Sequence, residues 1–308
     1  MFGVRSIGSN DGIPVSRSGR LTGAMIGMIL AALTATAPVA AQEEEGKSAF
    51  RVCADPNNLP FSNQERAGFE NKIAELLAKD LGLRVEYTWF PQRMGFIRNT
   101  LRSWVPEERR YKCDVIIGVA SGFELASTTD PYYRSTYALV YKRGRGLDQV
   151  NSAQALLTLP EEQKRALKIG VFAPSPAVDW LLKHGLIDQA VPYQIQTGDP
   201  EDYPGEIIQK DLRADQIDLA FVWGPIAGYF AKLDPAGNIV VVPLNSEPGV
   251  QFSYPISMGV RHGEGEWKKT LEQAIARNEA AIENILADYN VPIVDEKGQV
   301  VHAAGAPK

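Results

Sequence analysis

The sequence predicts an α/β protein built from two similar units, and three observations carry that prediction. Short apolar runs alternate with amphipathic stretches, the alternation starts afresh midway, and the last amphipathic stretch has no strands of its own. The first unit opens with the apolar run Ala49–Ala54, which reads as a strand. Phe69, Ile73, Leu76, Leu77 and Leu81 then recur at helical spacing up to Gly82, a residue suited to the position just past a helix end. Residues 83–90 alternate like a strand, Ile97, Leu101 and Trp104 mark a second helix, and 113–118 form a short buried strand. Strand, helix, strand, helix, strand in that order predicts a mostly parallel sheet flanked by helices.

The second unit follows an extended stretch at 137–142. Residues 168–172 read as a strand, and Ser175-Pro176 caps a helix running to Lys183 with proline at its first position. A strand at 191–195, a helix at 203–213 and a buried strand at 218–223 come next. A helix at 225–232 and a strand at 238–242 complete the series, with no residue-level repeat between the units. The tail holds an extended stretch at 252–260 and one long amphipathic helix at 266–289, which has to pack on an earlier unit, the first. The chain then crosses twice between two lobes, 48–139 with 254–308 and 140–253, through a hinge near 137–142 and 246–256. Ligands in open α/β sheets bind beyond the carboxyl ends of strands, so a cleft is expected between the lobes.

The N-terminus has a different character. Arg5, Arg17 and Arg20 precede an apolar stretch from Leu21 to about Thr36, and Pro38-Val39-Ala40-Ala41 ends it. This is the pattern of a secretory signal peptide over 1–41, cleaved near Ala41. Its removal leaves 29 basic against 36 acidic residues, so the net charge moves from −5 to −7. That balance argues against nucleic acid as a partner, and no other apolar run approaches the ~18 residues of a membrane span. The exported product is expected to be periplasmic, free of the membrane, and monomeric when alone.

Several stretches resemble a known family. The turn Asp55-Pro56 to Pro60-Phe61, the helix start Gly68-Phe69-Glu70, the strand Cys113-Asp114-Val115-Ile116-Ile117-Gly118 and Asp130-Pro131-Tyr132-Tyr133 are similar to type II periplasmic binding proteins. More narrowly, 51–63, 87–93 and 131–137 resemble the MxaJ/XoxJ type, the binding-protein-like component encoded with quinoprotein methanol dehydrogenases. The resemblance spans 48–292. It implies a non-catalytic accessory role in periplasmic methanol oxidation, with a pyrroloquinoline-quinone enzyme as partner, with or without its cytochrome. No cofactor or metal of the chain's own is expected.

Amino-acid-binding relatives clamp a ligand carboxylate with an arginine after the third strand, where this chain has 119–126 without one. Their carboxylate after the buried strand of lobe two is replaced by Trp223-Gly224-Pro225, and their donor-rich turn by Ala173-Pro174-Ser175-Pro176, whose prolines lack N–H groups. The expected cleft is therefore apolar and aromatic. Its candidate lining is Asn57, Leu59, Phe61, Trp89, Phe90 and Arg93, then Phe123, Tyr132, Tyr133 and Arg134, then Ser175, Trp180, Trp223 and Tyr229. Such a surface suits a protein element held between the lobes. The alternative is a transport receptor for a small apolar or aromatic molecule, or for the quinone cofactor. For any single aromatic, a place in a lobe core is the competing reading.

In lobes of this type the first and third strands are neighbours, which can bring the Cα atoms of Cys53 and Cys113 to ~5.5 Å. In an oxidising compartment that favours a disulfide, against two buried free thiols. His184, His262 and His302 stand apart, with His184 near a helix C-terminus. No nucleophile elbow, zinc-binding pair or phosphate loop occurs. Glu124, on the loop where a clamp residue lies in relatives, is the candidate for a less favoured enzymatic reading.

Overall fold

The structure, a computed structural model, describes residues 47–195, 199 and 201–302. The expected signal peptide and its cleavage near Ala41 lie outside the described residues. Lobe one begins with β1 (Ala49–Ala54), α1 (Phe69–Asp80), β2 (Arg84–Trp89), a single turn α2 (Phe96–Asn99) and β3 (Ile116–Ala120). β4 (Tyr133–Lys142) leads into lobe two, where α3 (Ala153–Leu157) and α4 (Glu161–Ala166) occupy a stretch for which no element is predicted. Then come β5 (Ile169–Ala173), α5 (Pro176–Lys183), β6 (Ala190–Gln194), β7 (Leu219–Trp223), α6 (Gly224–Lys232) and β8 (Ile239–Pro243). The chain returns through β9 (Ser253–Val260), α7 (Gly265–Arg277) and α8 (Glu279–Asp288). Among the described residues no helix is long and apolar enough to cross a membrane.

The parallel pairs are β1 with β2, and β5 with both β6 and β7. The segment entering β3 lies parallel beside β1: Val52 bridges Val115, and Cys53 N–H donates to the Val115 carbonyl at 2.8 Å. β4 joins the two sheets. Its first residues, Tyr133–Thr136, pair antiparallel with β9, whereas Tyr137–Tyr141 pair with β7 and 138–142 with β8. The switch falls between Thr136 and Tyr137. There the Thr136 hydroxyl donates to the Leu244 carbonyl at 2.6 Å, and Leu244 N–H donates to Tyr137.

Strand alternation sorts the lobe-two core. Leu139, Tyr141, Leu219 and Phe221 face Trp180, Leu181 and Phe252, while Ala138, Val140, Ala220 and Val222 face Ile207, Leu212 and Phe230. In lobe one, Phe50, Val115 and Ile117 meet Phe69, Ile73 and Leu77 of α1. The C-terminal helices add Trp267, Leu271, Ile282 and Leu286 to that same cluster.

Three helices differ from the sequence-based expectation. The predicted helix through Trp104 stops after one turn, at Thr100, whose N–H and hydroxyl both donate to the Phe96 carbonyl, at 3.0 and 2.6 Å. Trp104 instead sits in a two-residue strand pair, edge-on to Tyr111 at 5.0 Å. The long tail helix is two helices broken at Asn278, whose side-chain amide donates to the Ala274 carbonyl at 2.8 Å. The predicted helix at 203–213 is π-helical over Ile207–Leu212, with wide-turn bonds such as Arg213 N–H to the Ile208 carbonyl.

Cys53 and Cys113 form a disulfide, with Cα atoms 5.4 Å apart. Beside it, buried Arg261 donates through Nη1 to the Leu101 and Cys113 carbonyls and through Nη2 to Asp114 at 2.5 Å. Asp114 also accepts from Arg51 at 2.8 Å and pairs with Lys47 at 3.3 Å. Arg261→Met leaves two carbonyls without their donor and Asp114 short of a partner. It is expected to lower stability by about 3 kcal/mol in urea unfolding. The Cys53→Ser/Cys113→Ser variant, which releases a 60-residue separation, is expected to lose about 2–4 kcal/mol by the same measurement.

Candidate functional site

A cavity of about 600 Å³ opens between the lobes, and both contribute walls. The lobe-one wall is the turn after β1 together with residues 91–93. One Asp55 carboxylate oxygen accepts from Asn57 N–H at 2.8 Å and the other from Gln92 N–H, so a single side chain ties the two loops. The Asn58 amide donates to the Gln92 side chain at 3.0 Å. The turn is pressed against the start of α1: a Cβ on Gly68 would lie 2.0 Å from the Phe61 carbonyl oxygen, so only glycine fits there. The Asn57 side-chain amide reaches across the cleft to the Glu201 carbonyl at 3.0 Å.

The lobe-two wall comes from the ends of β5, β6 and β7 and from the π-helical turn. Phe172, Tyr193, Tyr203 and Trp223 supply aromatic surface, and Ile207 and Ile226 fill between them. The Tyr193 hydroxyl donates to Asp211 at 2.5 Å; burial first, then that bond, push the hydroxyl well above its ordinary pKa. Lys210 pairs with Glu206 at 2.6 Å, and the Tyr203 hydroxyl donates to Gln209 at 2.6 Å. Trp223 is held edge-on by Tyr137 at 5.3 Å and by Tyr254 at 6.1 Å.

The lining is more charged than the mainly apolar and aromatic cleft expected from the sequence. Asp55, Asp199, Asp202, Glu206 and Asp211 line it together with Arg93 and Lys210. The loop 119–126 indeed has no arginine, yet Arg93 enters from a different loop. Of the candidates read from the sequence, the structure brings Asn57, Phe61, Arg93 and Trp223 to the cavity. Leu59 and Tyr229 pack against the lobe-two core, with Tyr229 stacked on Tyr289 at 5.7 Å. Trp89 stacks on Tyr87 at 4.5 Å, and Tyr132 and Tyr133 pack in the lobe-one core. Phe90 and Phe123 lie against the disulfide cluster.

Trp180 is wholly buried in lobe two, the outcome that helical spacing alone could not separate from cleft exposure. Ser175 occupies the N-cap position of α5, with its hydroxyl buried and lacking a protein partner. Arg134 borders a shallow depression beside Glu247 on the hinge side. His184, at the end of α5, bonds Glu247 at 2.8 Å. Burial raises the Glu247 carboxyl, but hydrogen bonds from Lys183, His184 and Gln154 outweigh it and hold the group near about 2. Glu124 is exposed, and its carbonyl contacts His262 Nε2 at 3.1 Å. Among the described residues no group of three or more His, Cys, Asp or Glu could hold a metal ion.

Sequence reading gave Glu70 only as a helix-start landmark. The residue as a whole is partly exposed, while its carboxyl lies against the Gly118 backbone, where a Cβ on Gly118 would come within 2.1 Å of Oε1. Burial first, and the charge of Asp55 second, push it up to about 8. Burial also raises Tyr132 and Tyr133, with Glu70 contributing to both.

No family model matches the chain. It is similar to the periplasmic binding protein XoxJ from Methylobacterium extorquens AM1 at 35% identity. That match covers 80% of this chain and all of that one, with a TM-score of 0.64. The chain belongs to the XoxJ-type family of periplasmic binding proteins. The chain is also similar to Protein MoxJ of Paracoccus denitrificans, 27% identical over 257 residues, covering 80% of this chain and 89% of that protein. The MxaJ crystal structure from Methlophaga aminisulfidivorans MPT, 22% identical over 80% of this chain and 100% of that one, shares the fold with a TM-score of 0.66.

The pH consequence of Glu70 has a definite sign. Its folded value of about 8 lies above the ordinary 4.5, so folding takes up a proton between those values. Stability from this group is full below pH ~4.5 and is lost as pH rises toward 8. Relative to Glu70→Gln, the native protein is expected to lose up to ~1.4 kcal/mol per pH unit across that window. Urea midpoints of both proteins measured from acid to mildly alkaline pH check this.

Proposed function

We propose that the chain is a periplasmic, non-catalytic accessory factor for a pyrroloquinoline-quinone-dependent methanol dehydrogenase. In this reading it holds a segment of that enzyme, with or without its cytochrome, between lobes 48–139 plus 254–308 and 140–253. The exported chain, freed of residues 1–41, is monomeric until it meets the enzyme. Family membership supports the binding-protein part of this reading, since the XoxJ relative is named a periplasmic binding protein. One observation carries the rest. The cleft wall pairs aromatic faces with charged groups largely engaged within the wall, as Tyr193–Asp211 and Lys210–Glu206 are, while the loop that clamps a carboxylate in amino-acid receptors has no arginine. Aromatic anchors with a polar rim suit a protein surface.

The cleft volume favours one second reading. About 600 Å³ is also the size of a small-molecule site, so a receptor for a small aromatic solute or a quinone fits the same space. An enzyme acting through Glu124 would lose turnover in Glu124→Gln. The deciding measurement is binding of the mature chain to the purified dehydrogenase, alongside tryptophan fluorescence titration with small aromatic acids. The accessory reading expects complex formation that weakens about tenfold or more in Phe61→Ala/Trp223→Ala. Absence of a complex, together with saturable fluorescence change on solute addition, establishes the receptor instead.

A further inference from the structure

A second cavity, about 730 Å³, lies wholly on lobe one and meets the cleft only at Gln92 and Arg93. Its floor is apolar: Phe96 and Ile97 of α2, Ile116 and Val119 of β3, and Phe123 and Leu125 of the following loop. Met94 stands at its lip, 90% exposed, and Leu125 is 47% exposed. Arg93, Arg98 and Arg102 complete the lining, which includes no Asp or Glu. The Arg102 guanidinium is fixed at the mouth by donating to the Leu125 carbonyl at 2.9 Å. The neighbouring carboxylate, Glu124, is exposed and outside the lining.

We propose that this groove docks an acidic, apolar segment of a partner protein, its apolar side chains on the Phe96–Phe123 floor and its carboxylates against Arg98 and Arg102. The inference goes beyond the cleft reading and stands apart from it. Three arginines around an apolar floor, on a chain whose net charge is −5, form a local field opposite to that of the whole protein. Such a patch draws acidic groups and fixes their register, while the apolar floor supplies affinity. Arginine rather than lysine suits carboxylates, which its planar fork can hold by two bonds. A concave floor with an open mouth favours a chain segment over a flat lipid surface.

The test uses the mature chain and a fluorescein-labelled amphipathic peptide of about fourteen residues composed of Leu and Glu. Controls replace Glu by Lys or Leu by Ser. Binding in the micromolar range is expected near ~50 mM salt, weakening about tenfold by ~500 mM. Arg98→Glu alone, and Arg98→Glu/Arg102→Glu, are each expected to weaken it about tenfold with urea midpoints unchanged, and neither control peptide should compete. The Trp223→Ala variant should bind the peptide as the native chain does, which separates this groove from the cleft. Equal binding of the Lys peptide, or no effect of the arginine variants, overturns the proposal. So does arginine-dependent binding of decanoate, of phosphatidylglycerol vesicles or of a second copy in sedimentation, when the Leu/Glu peptide does not bind.

Discussion

Lobe one is assembled from two stretches of chain more than a hundred residues apart, and Arg261 is where they are locked. The guanidinium sits just past the end of β9, buried, and donates to the carbonyls of Leu101 and Cys113 and to the carboxylates of Asp114 and Glu264. One residue away from that carboxylate, the disulfide ties Cys113 to β1. Covalent bond and ion cluster thus fix the same short segment from two sides. Arg51 and Lys47 complete the pairing of Asp114, so the buried charge is not left alone, which is the condition for such a cluster to be tolerated. From this anchored corner β1 and β3 run to their carboxyl ends, where the turn 55–63 lines the interlobe cavity and the loop 121–125 borders the lobe-one cavity. An error in the relative height of β1 and β3 would displace both.

Charge is segregated along that surface. The interlobe cavity carries five carboxylates against Arg93 and Lys210, whereas the lobe-one groove carries three arginines and no carboxylate. A net charge of −5 therefore describes neither site. Arg93 lines both cavities and stands where the two fields meet. Long-range attraction to a partner depends on such local fields, because charges further apart than about 10 Å are screened at ordinary salt.

Much of the architecture was legible because it rests on periodicity. β1, α1, β5, α5 and β7 fall within a residue or two of their sequence-based limits, whereas the short strands Ile293–Val294 and Val300–His302 of the tail escaped the sequence reading. The disulfide was legible because strand adjacency, compartment and the count of two cysteines converge on one pair. The breaks were harder: helices end at Thr100 and Asn278, and apolar spacing does not register where a helix stops. The cleft was only partly legible. Trp180 and Trp223 look alike in sequence, yet one is sealed inside the lobe-two core and the other stands at a strand end. Asp211 and Lys210 reach the cavity because the segment adopts a wide π-helical turn, and Glu70 acquires its raised pKa from burial first and the charge of Asp55 second, neither visible in its local sequence. Chemistry created by tertiary proximity leaves no local pattern.

The two sites are also mechanically joined. Asp55 accepts from Asn57 N–H on one oxygen and Gln92 N–H on the other, so the cleft turn and the segment that forms the groove lip share one carboxylate. Asn57 in turn reaches the Glu201 carbonyl on lobe two. A chain of hydrogen bonds therefore runs from the groove lip, through Asp55, across the cleft. Whatever holds Gln92 and Arg93 in the groove geometry also holds the Asp55 turn in the position from which Asn57 meets lobe two. If filling the groove stabilises that arrangement, it stabilises contact between the lobes, and by reciprocity lobe contact must tighten groove binding by the same factor. The coupling needs no motion of the lobe-one core, which the disulfide and the Arg261 cluster hold fixed. It requires only that two loops hang from one carboxylate.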